Sequence, residues 1–305
     1  MTKTIPGLHH ITAISGPPQP NVDFFTGLLG QRLVKKTVNF DAPDVYHLYY
    51  GDEMGSPGTI MTFFPFVNAA KGRAGYGTTD TYGYAVPKGK FDDWTLRLQN
   101  AGAAFDVVPD RFGERVIRLS DPDGAIVELV ETQTTAEADL DGFHSATLWV
   151  EDIGPTAQVL TDIFGYEEIG HLNEAGEERL RLQTRGDARA RIIDVIRKDG
   201  AEKAHQGAGS IHHIAFRAED DETHLEWREA VRAAGHAVTE VRDRQYFNAI
   251  YFREPGGVLF EIATDPPGFA VDEDQATLGQ ALKLPPQYEA RRAELEQVLP
   301  PIKMG

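Results

Sequence analysis

Short apolar stretches separated by Gly- and Pro-bearing turns dominate this chain, with a few longer amphipathic stretches between them. The segment Asp110–Glu128 reads as an apolar strand, the turn Asp121-Pro122-Asp123-Gly124 and a second apolar strand. Asp243–Glu261 repeats it, with Glu254-Pro255-Gly256-Gly257 as the turn. At a constant offset of 133 residues the Asp-Arg pair, the acid-Pro-x-Gly turn and the strand-end Glu all coincide. Two apolar runs around such a turn predict a β-hairpin. Each hairpin follows an amphipathic helix candidate, Phe91–Asn100 or Glu222–Arg232, that stops near an Ala-Gly pair. A strand precedes each helix, Tyr82–Val86 and His212–Phe216.

The unit is therefore strand, helix, then a meander of strands. Two further copies fit, one from Leu8 through a helix over Val22–Gly30 to Met61-Thr62-Phe63. The other runs from Phe143 through a helix over Pro155–Gly165 to Ile192–Val195. Four βαβββ modules predict an α+β protein of two domains, residues 1–138 and 139–268, with the polar stretch around Thr132–Asp139 as the boundary. A Pro-rich tail, 269–305, carries one helix candidate at Gln287–Leu299, expected to pack on the surface or against a partner chain.

Composition narrows the function. The 305 residues are 41% hydrophobic and 25% charged, which suits a soluble globular protein of two ordinary cores. The longest apolar runs are too short to span a bilayer, and Met1–Gly7 lacks the apolar core of a signal peptide. A formal net charge of −17 with no long Lys/Arg run argues against nucleic acid as a partner. With no cysteine, any transition metal must be held by His, Asp or Glu. A reducing cytoplasm is the simplest home.

The candidate chemistry lies in a repeated dipeptide. Leu8-His9-His10-Ile11-Thr12 and Ile211-His212-His213-Ile214-Ala215 are near-identical strand-like pentads. With a carboxylate from a third strand, Val258-Leu259-Phe260-Glu261-Ile262, they offer the residue types of a 2-His-1-carboxylate site, which leaves open positions on one face of Fe(II). A histidine on a strand is commonly a packed core group, but matching apolar flanks in two repeats favour a shared role for His10 and His213. Each module can be asked what it offers. The first has His10 and, with Pro57-Gly58 aligned on Pro255-Gly256, Phe63. The second has Gly83 and Glu128, the third His144 and Asp194, the fourth His213 and Glu261. First-with-fourth pairing gathers His10, His213 and Glu261; sequential pairing gathers His144, Asp194, His213 and Glu261. Spacing leaves both open.

Modules of this kind, with a His heading some first strands and an acid ending some last strands, resemble the vicinal oxygen chelate superfamily of glyoxalases, bleomycin-resistance proteins and extradiol dioxygenases. In that fold paired modules curl mixed sheets into an open barrel around a metal. Several motifs resemble, more narrowly, the hydroquinone ring-cleaving dioxygenases of the 2,6-dichlorohydroquinone 1,2-dioxygenase type. These are Leu8–Thr12, Gln31–Thr37, Tyr46–Tyr50, Gly58–Thr62, Gly142–Ser145, Ile211–His213, Pro255–Gly257 and Gly268-Phe269 followed by Asp272-Glu273-Asp274. The match runs nearly end to end. It implies Fe(II), or alternatively Mn(II), held by His10, His213 and Glu261. It also implies His9, Thr12, His212, Arg244 and Tyr251 around the metal, and a small dihydroxy aromatic and O2 as reactants.

Two geometric expectations accompany these residues. A three-residue turn at Pro255–Gly257 places Tyr251 opposite Glu261 on one face. Regular strand alternation points His9 and His212 away from their neighbours, so their presence at the site requires a bulge or a strand end. If His144 is not a ligand it is a buried, hydrogen-bonded group. Glu128 and Asp194 are read as structural or solvated, and His47, His171, His205, His224 and His236 as structural or surface groups. The rival functions are a glyoxalase-like isomerase or lyase with four protein ligands, and a metal-free sequestering protein of the bleomycin-resistance kind.

Overall fold

The computed structural model describes residues 3–186 and 189–304. Met1, Thr2 and Gly305, at the ends of the expected outer units, lie outside them. The first module supplies β1 (Leu8–Ser15), β2 (Arg32–Asn39), β3 (Ala42–Gly51) and β4 (Ile60–Pro65). The second supplies β5 (Thr78–Val86), β6 (Phe105–Arg111), β7 (Glu114–Ser120) and β8 (Ile126–Glu131). The third contributes β9 (Phe143–Trp149), β10 (Glu167–Glu174), β11 (Glu177–Gln183) and β12 (Ile192–Lys198). The fourth contributes β13 (Ser210–Ala218), β14 (Arg242–Asp243), β15 (Phe247–Arg253) and β16 (Leu259–Pro267). After each module's first strand comes its helix: α1 (Pro18–Val22), α2 (Phe91–Asn100), α3 (Ile153–Gln158) and α4 (Asp221–Ala233). α1 and α3 continue as wide π turns, Asp23–Leu28 and Val159–Ile163. A capping box between Asp220 and Thr223 starts α4, satisfying backbone N–H groups that have no partner inside the helix.

The α+β class and the four curled βαβββ modules are as expected, but the sheets do not follow the sequential halves. One eight-stranded sheet runs β14-β15-β16-β13-β1-β4-β3-β2 and so joins the fourth module to the first. The other runs β10-β11-β12-β9-β5-β8-β7-β6 and joins the third to the second. The boundary expected at 138/139 therefore separates β5 from β9, which pair antiparallel. Each first strand has its own module's last strand along one edge and pairs along the other with the first strand of a second module. The connections between modules also meet, through bridges from Lys71, Arg73 and Tyr76 to Ala208, His205 and Lys203.

Strand alternation divides each sheet into a helix-covered face and a concave face. In the sheet of the first and fourth modules, the outer sheet (that of the second and third being the inner), Phe216 and Phe260 pack against each other, with Phe164 beside Phe216 and Trp227 of α4 beside Phe164. On the other face Ala215, Tyr49, Phe247 and Ala263 belong to a separate buried cluster. The tail is not one helix but two short ones, α5 (Pro286–Glu289) and α6 (Arg292–Val298), and it packs on its own first module. Leu284, Leu295 and Leu299 are buried there, and the Tyr288 hydroxyl donates to the Phe40 carbonyl. Nearer β16, the buried Lys35 ammonium donates to Asp272 and Glu273, fixing the start of the tail to β2.

Candidate metal centre

His10 and His213 lie on adjacent antiparallel strands, β1 and β13, and Glu261 on β16 beside β13. All three side chains are buried, and one ligand atom of each lies within 4.8 Å of the others. Glu261 Oε2 is 2.9 Å from His213 Nε2 and 3.5 Å from His10 Nε2. The two Nε2 atoms face each other at 3.4 Å. First-with-fourth pairing thus brings together the trio that the resemblance implied.

The doublets solve their own alternation problem. Leu8 pairs with Phe216 but His10 with Ala215, so His9 is an extra residue on β1. Thr12 pairs with His213 but Ala13 with Ile211, so His212 is an extra residue on β13. A bulge lets two consecutive side chains share a face. In each doublet the Nδ1 atoms meet, at 3.0 Å for His9–His10 and 2.8 Å for His212–His213. For both Nε2 atoms to hold a cation, the shared hydrogens must sit on the Nδ1 of His10 and of His213, which leaves lone pairs on the Nε2 atoms.

The charge balance favours a cation. Burial works against ionising Glu261, yet the His10 and His213 imidazoles hold its carboxyl well below the usual carboxylate range. Burial, reinforced by His10, holds His9 well below an ordinary imidazole, and burial with His213 lowers His212 to about 3. Both are therefore neutral at physiological pH. Glu261 Oε1 is buried without a hydrogen-bond partner. A partnerless carboxylate oxygen beside two imidazole nitrogens is costly in a dry interior, and a divalent ion held by all three side chains would satisfy it. The donor set fits the implied metal.

The trio opens into a cavity of about 480 Å³ with largely aromatic walls, among them Phe40, Phe64, Phe66 and Phe247. Tyr251 pairs with Glu261, because Glu254 N–H to Val258 C=O closes a three-residue turn at Pro255–Gly257. Its phenol accepts from Arg244 Nε at 3.1 Å, and burial with the nearby Glu261 pushes it far above the usual phenol range. Its own hydrogen can turn toward Glu261 or into the cavity. Arg244 reaches Asp41 at 3.4 Å across the mouth. His212, Arg244 and Tyr251 line the cavity; His9 and Thr12 do not. His9 packs edge-on to His10 and beside Phe247, and Thr12 accepts from the Thr62 hydroxyl at 2.9 Å.

Three expectations shift by one strand position or one face. Glu261 pairs with Ala215, two residues after His213; by the same count the first-module slot is Thr62, which pairs with Thr12. Phe63 instead packs on Phe25 in the helix-side core. In the second sheet His144 is the extra residue of its bulge, matching His212, and Ser145 occupies the position of His213. His144 is a buried group bonded to Ser145 and Glu114. His47, read from sequence as structural or surface, lines the cavity. Its signal was the alternation His47-Leu48-Tyr49, which sets His47 and Tyr49 on the face of Thr62.

The matching family model is described as "Glyoxalase/Bleomycin resistance protein/Dioxygenase superfamily" and covers residues 7–129 and 142–262. The chain belongs to that superfamily. It is 45% identical over 315 residues to the Bacillus subtilis protein named "Putative ring-cleaving dioxygenase MhqO", covering 100% of this chain and 99% of the relative. It is 32% identical over 311 residues to the "Chlorohydroquinone/hydroquinone 1,2-dioxygenase" of Sphingobium indicum, covering 97% of this chain and 96% of that one. A crystal structure from Bacillus subtilis described as a "putative dioxygenase" superposes with a TM-score of 0.92 at 46% identity, covering 99% of each chain. No helix among the described residues is long and apolar enough to cross a membrane.

Proposed function

We propose that this protein is a cytoplasmic, Fe(II)-dependent ring-cleaving dioxygenase of the extradiol type that acts on a hydroquinone-like dihydroxy aromatic and O2. The observation that carries it is the buried meeting of His10 Nε2, His213 Nε2 and Glu261 Oε2 at an aromatic-walled cavity. The names of the relatives point the same way. Bound there, Fe(II) supplies Lewis acidity toward one ring hydroxyl and redox access to O2.

The surrounding side chains divide the remaining work. A para-hydroquinone reaches the centre through one hydroxyl only, since its two oxygens lie on opposite sides of the ring. His212, neutral and cavity-facing, accepts from His213 through Nδ1, so its hydrogen sits on Nε2 and is placed to donate to a substrate oxygen. Arg244 keeps its charge despite burial, because Tyr251 and Asp41 favour it, and steadies negative charge developing on oxygen. Tyr251, still protonated, donates at the same place. His9 acts at one remove, orienting His10 through the Nδ1 contact. Thr12 acts through Thr62 rather than on the substrate.

Anaerobic loading with Fe(II), or with Mn(II) for comparison, followed by O2 uptake over a panel of hydroquinones and catechols tests the reading. Uptake should need the metal and disappear in His10→Ala, His213→Ala and Glu261→Gln; full activity in any of these sinks the ligand assignment. The four-ligand isomerase reading loses support because Thr62 stands where the fourth acid would be. Turnover of a glutathione hemithioacetal with Ni(II) or Zn(II) would restore it.

A further inference from the structure

The outer sheet carries a pseudo-twofold relation that the metal trio uses only on one side. Its axis passes between β1 and β13, exchanging His10 with His213 and Thr62 with Glu261. One strand further out, Tyr251 opposes Glu261 and Tyr49 opposes Thr62. The fourth-module half therefore presents a carboxylate backed by a tyrosine. The first-module half presents a short hydroxyl backed by a tyrosine, with His47 between them.

These side chains form a directed chain of hydrogen bonds. Thr62 Oγ1 donates to Thr12 Oγ1, so its single hydrogen is spent there. His47 Nε2, 2.8 Å from Thr62 Oγ1, must then carry the hydrogen of that contact. Its Nδ1, 2.8 Å from the Tyr49 hydroxyl, is left to accept. The ring is thus held at both nitrogens, with Tyr49 at 4.0 Å and Phe64 at 4.4 Å between centroids. It lines the same cavity as the trio and lies near the charges of Arg244 and Glu261. Such a ring is a fixed plate rather than a proton carrier.

Resting on the dioxygenase reading, we propose that the open position of the metal centre faces Thr62, and that His47 contacts the substrate ring there and sets its orientation. Tyr49 and Thr62 are positioning residues that act through His47. Thr62 is buried behind His47 and brings no ligand to the place that Glu261 fills on the symmetric side, which leaves that position to an exogenous oxygen. A substrate bound through that oxygen has its ring beside His47 and Phe64, which selects planar aromatic substrates.

The test has a metal arm and a substrate arm. Thr62→Glu, with Thr62→His as a second variant that buries no charge, should tighten Mn(II) binding roughly tenfold by adding a protein ligand. Mn(II) affinity unchanged in a folded variant overturns the placement of the open position. In the second arm, anaerobic hydroquinone binding to the metal-loaded protein should weaken about tenfold in His47→Ala, with metal stoichiometry unchanged. Tyr49→Phe keeps the ring and removes only the hydroxyl; it should raise KM with a smaller effect on kcat. Wild-type hydroquinone affinity in both variants overturns the role of His47. Unmodified protein that binds metal but no hydroquinone sinks the dioxygenase reading itself, and the Thr62 titration then decides the open position alone.

Discussion

The two sheets are built on one register and filled with opposite chemistry. Where the outer sheet has His10, His213, Glu261 and Thr62, the inner sheet has Thr81, Ser145, Asp194 and Glu128. The acids of the inner sheet are answered by guanidinium groups. Asp194 accepts from Arg179 and Arg181, and Glu128 from Arg111 and Arg118. The rim differs as well. In the inner sheet the Phe112 ring from the β6–β7 turn sits over Gly170 of β10, so close that a side chain there would collide. In the outer sheet the corresponding gap is bridged by Asp41 and Arg244 and opens into the cavity. A carboxylate in this fold needs positive charge beside it, and either a metal or an arginine provides it; only the first leaves room for a substrate.

The largest effects should separate the two sheets by kind. Glu261→Gln is expected to abolish metal binding and O2 uptake with the fold intact, read by metal content and circular dichroism. Asp194→Asn should do the reverse. It leaves two buried guanidinium groups short of a counter-charge, at a cost of about 3–5 kcal/mol in denaturant unfolding. Metal stoichiometry should be unchanged. Loss of metal from Asp194→Asn, or its retention in Glu261→Gln, would break the comparison.

Acid should reveal the inner sheet next. Burial works against the charges on Asp194 and Glu128, but their arginines outweigh it and hold both below the usual carboxylate values. The unfolded chain then binds protons more readily than the folded one. Their contribution is complete above the ordinary carboxylate range, about pH 4, and disappears as pH falls through the depressed values. Melting temperature from pH 6 down to pH 3 should drop on its acid side, and less steeply in Asp194→Asn. An equally steep fall would assign the acid sensitivity elsewhere. The smallest effect belongs to the rim. Phe112→Ala removes a ring stacked on the Arg181 guanidinium and should cost about 0.5–1 kcal/mol without altering O2 uptake.

Much of this was legible in the chain, and the exceptions share a cause. The hairpin repeat fixed the fourth module correctly, down to Tyr251 opposite Glu261, because its turn is short and its length readable. The first module lacks that turn: Asp52–Thr59 is a longer loop organised by the Asp52 and Thr59 side chains. Its strands pair as Tyr49↔Thr62, which shifts the expected slot from Phe63 to Thr62. The bulges at His9, His212 and His144 defeat the period-two argument in the same way, since one unpaired residue moves all that follows. His47 was missed because its partners, Tyr49 and Thr62, converge only once β3 and β4 are in register. Module pairing depends on contacts between distant segments, which local pattern does not encode.

The nested order of the sheets also has a consequence for how the chain is made. Every strand of the inner sheet lies between Thr78 and Lys198, whereas the outer sheet needs both Leu8 and Pro267. During synthesis the first module must wait, its edge unpaired, while the interior of the gene is translated and the inner sheet closes behind it. Its partner strand emerges some two hundred residues later. The trio is therefore among the last features assembled, and a ribosome-bound chain halted anywhere before Glu261 cannot complete it.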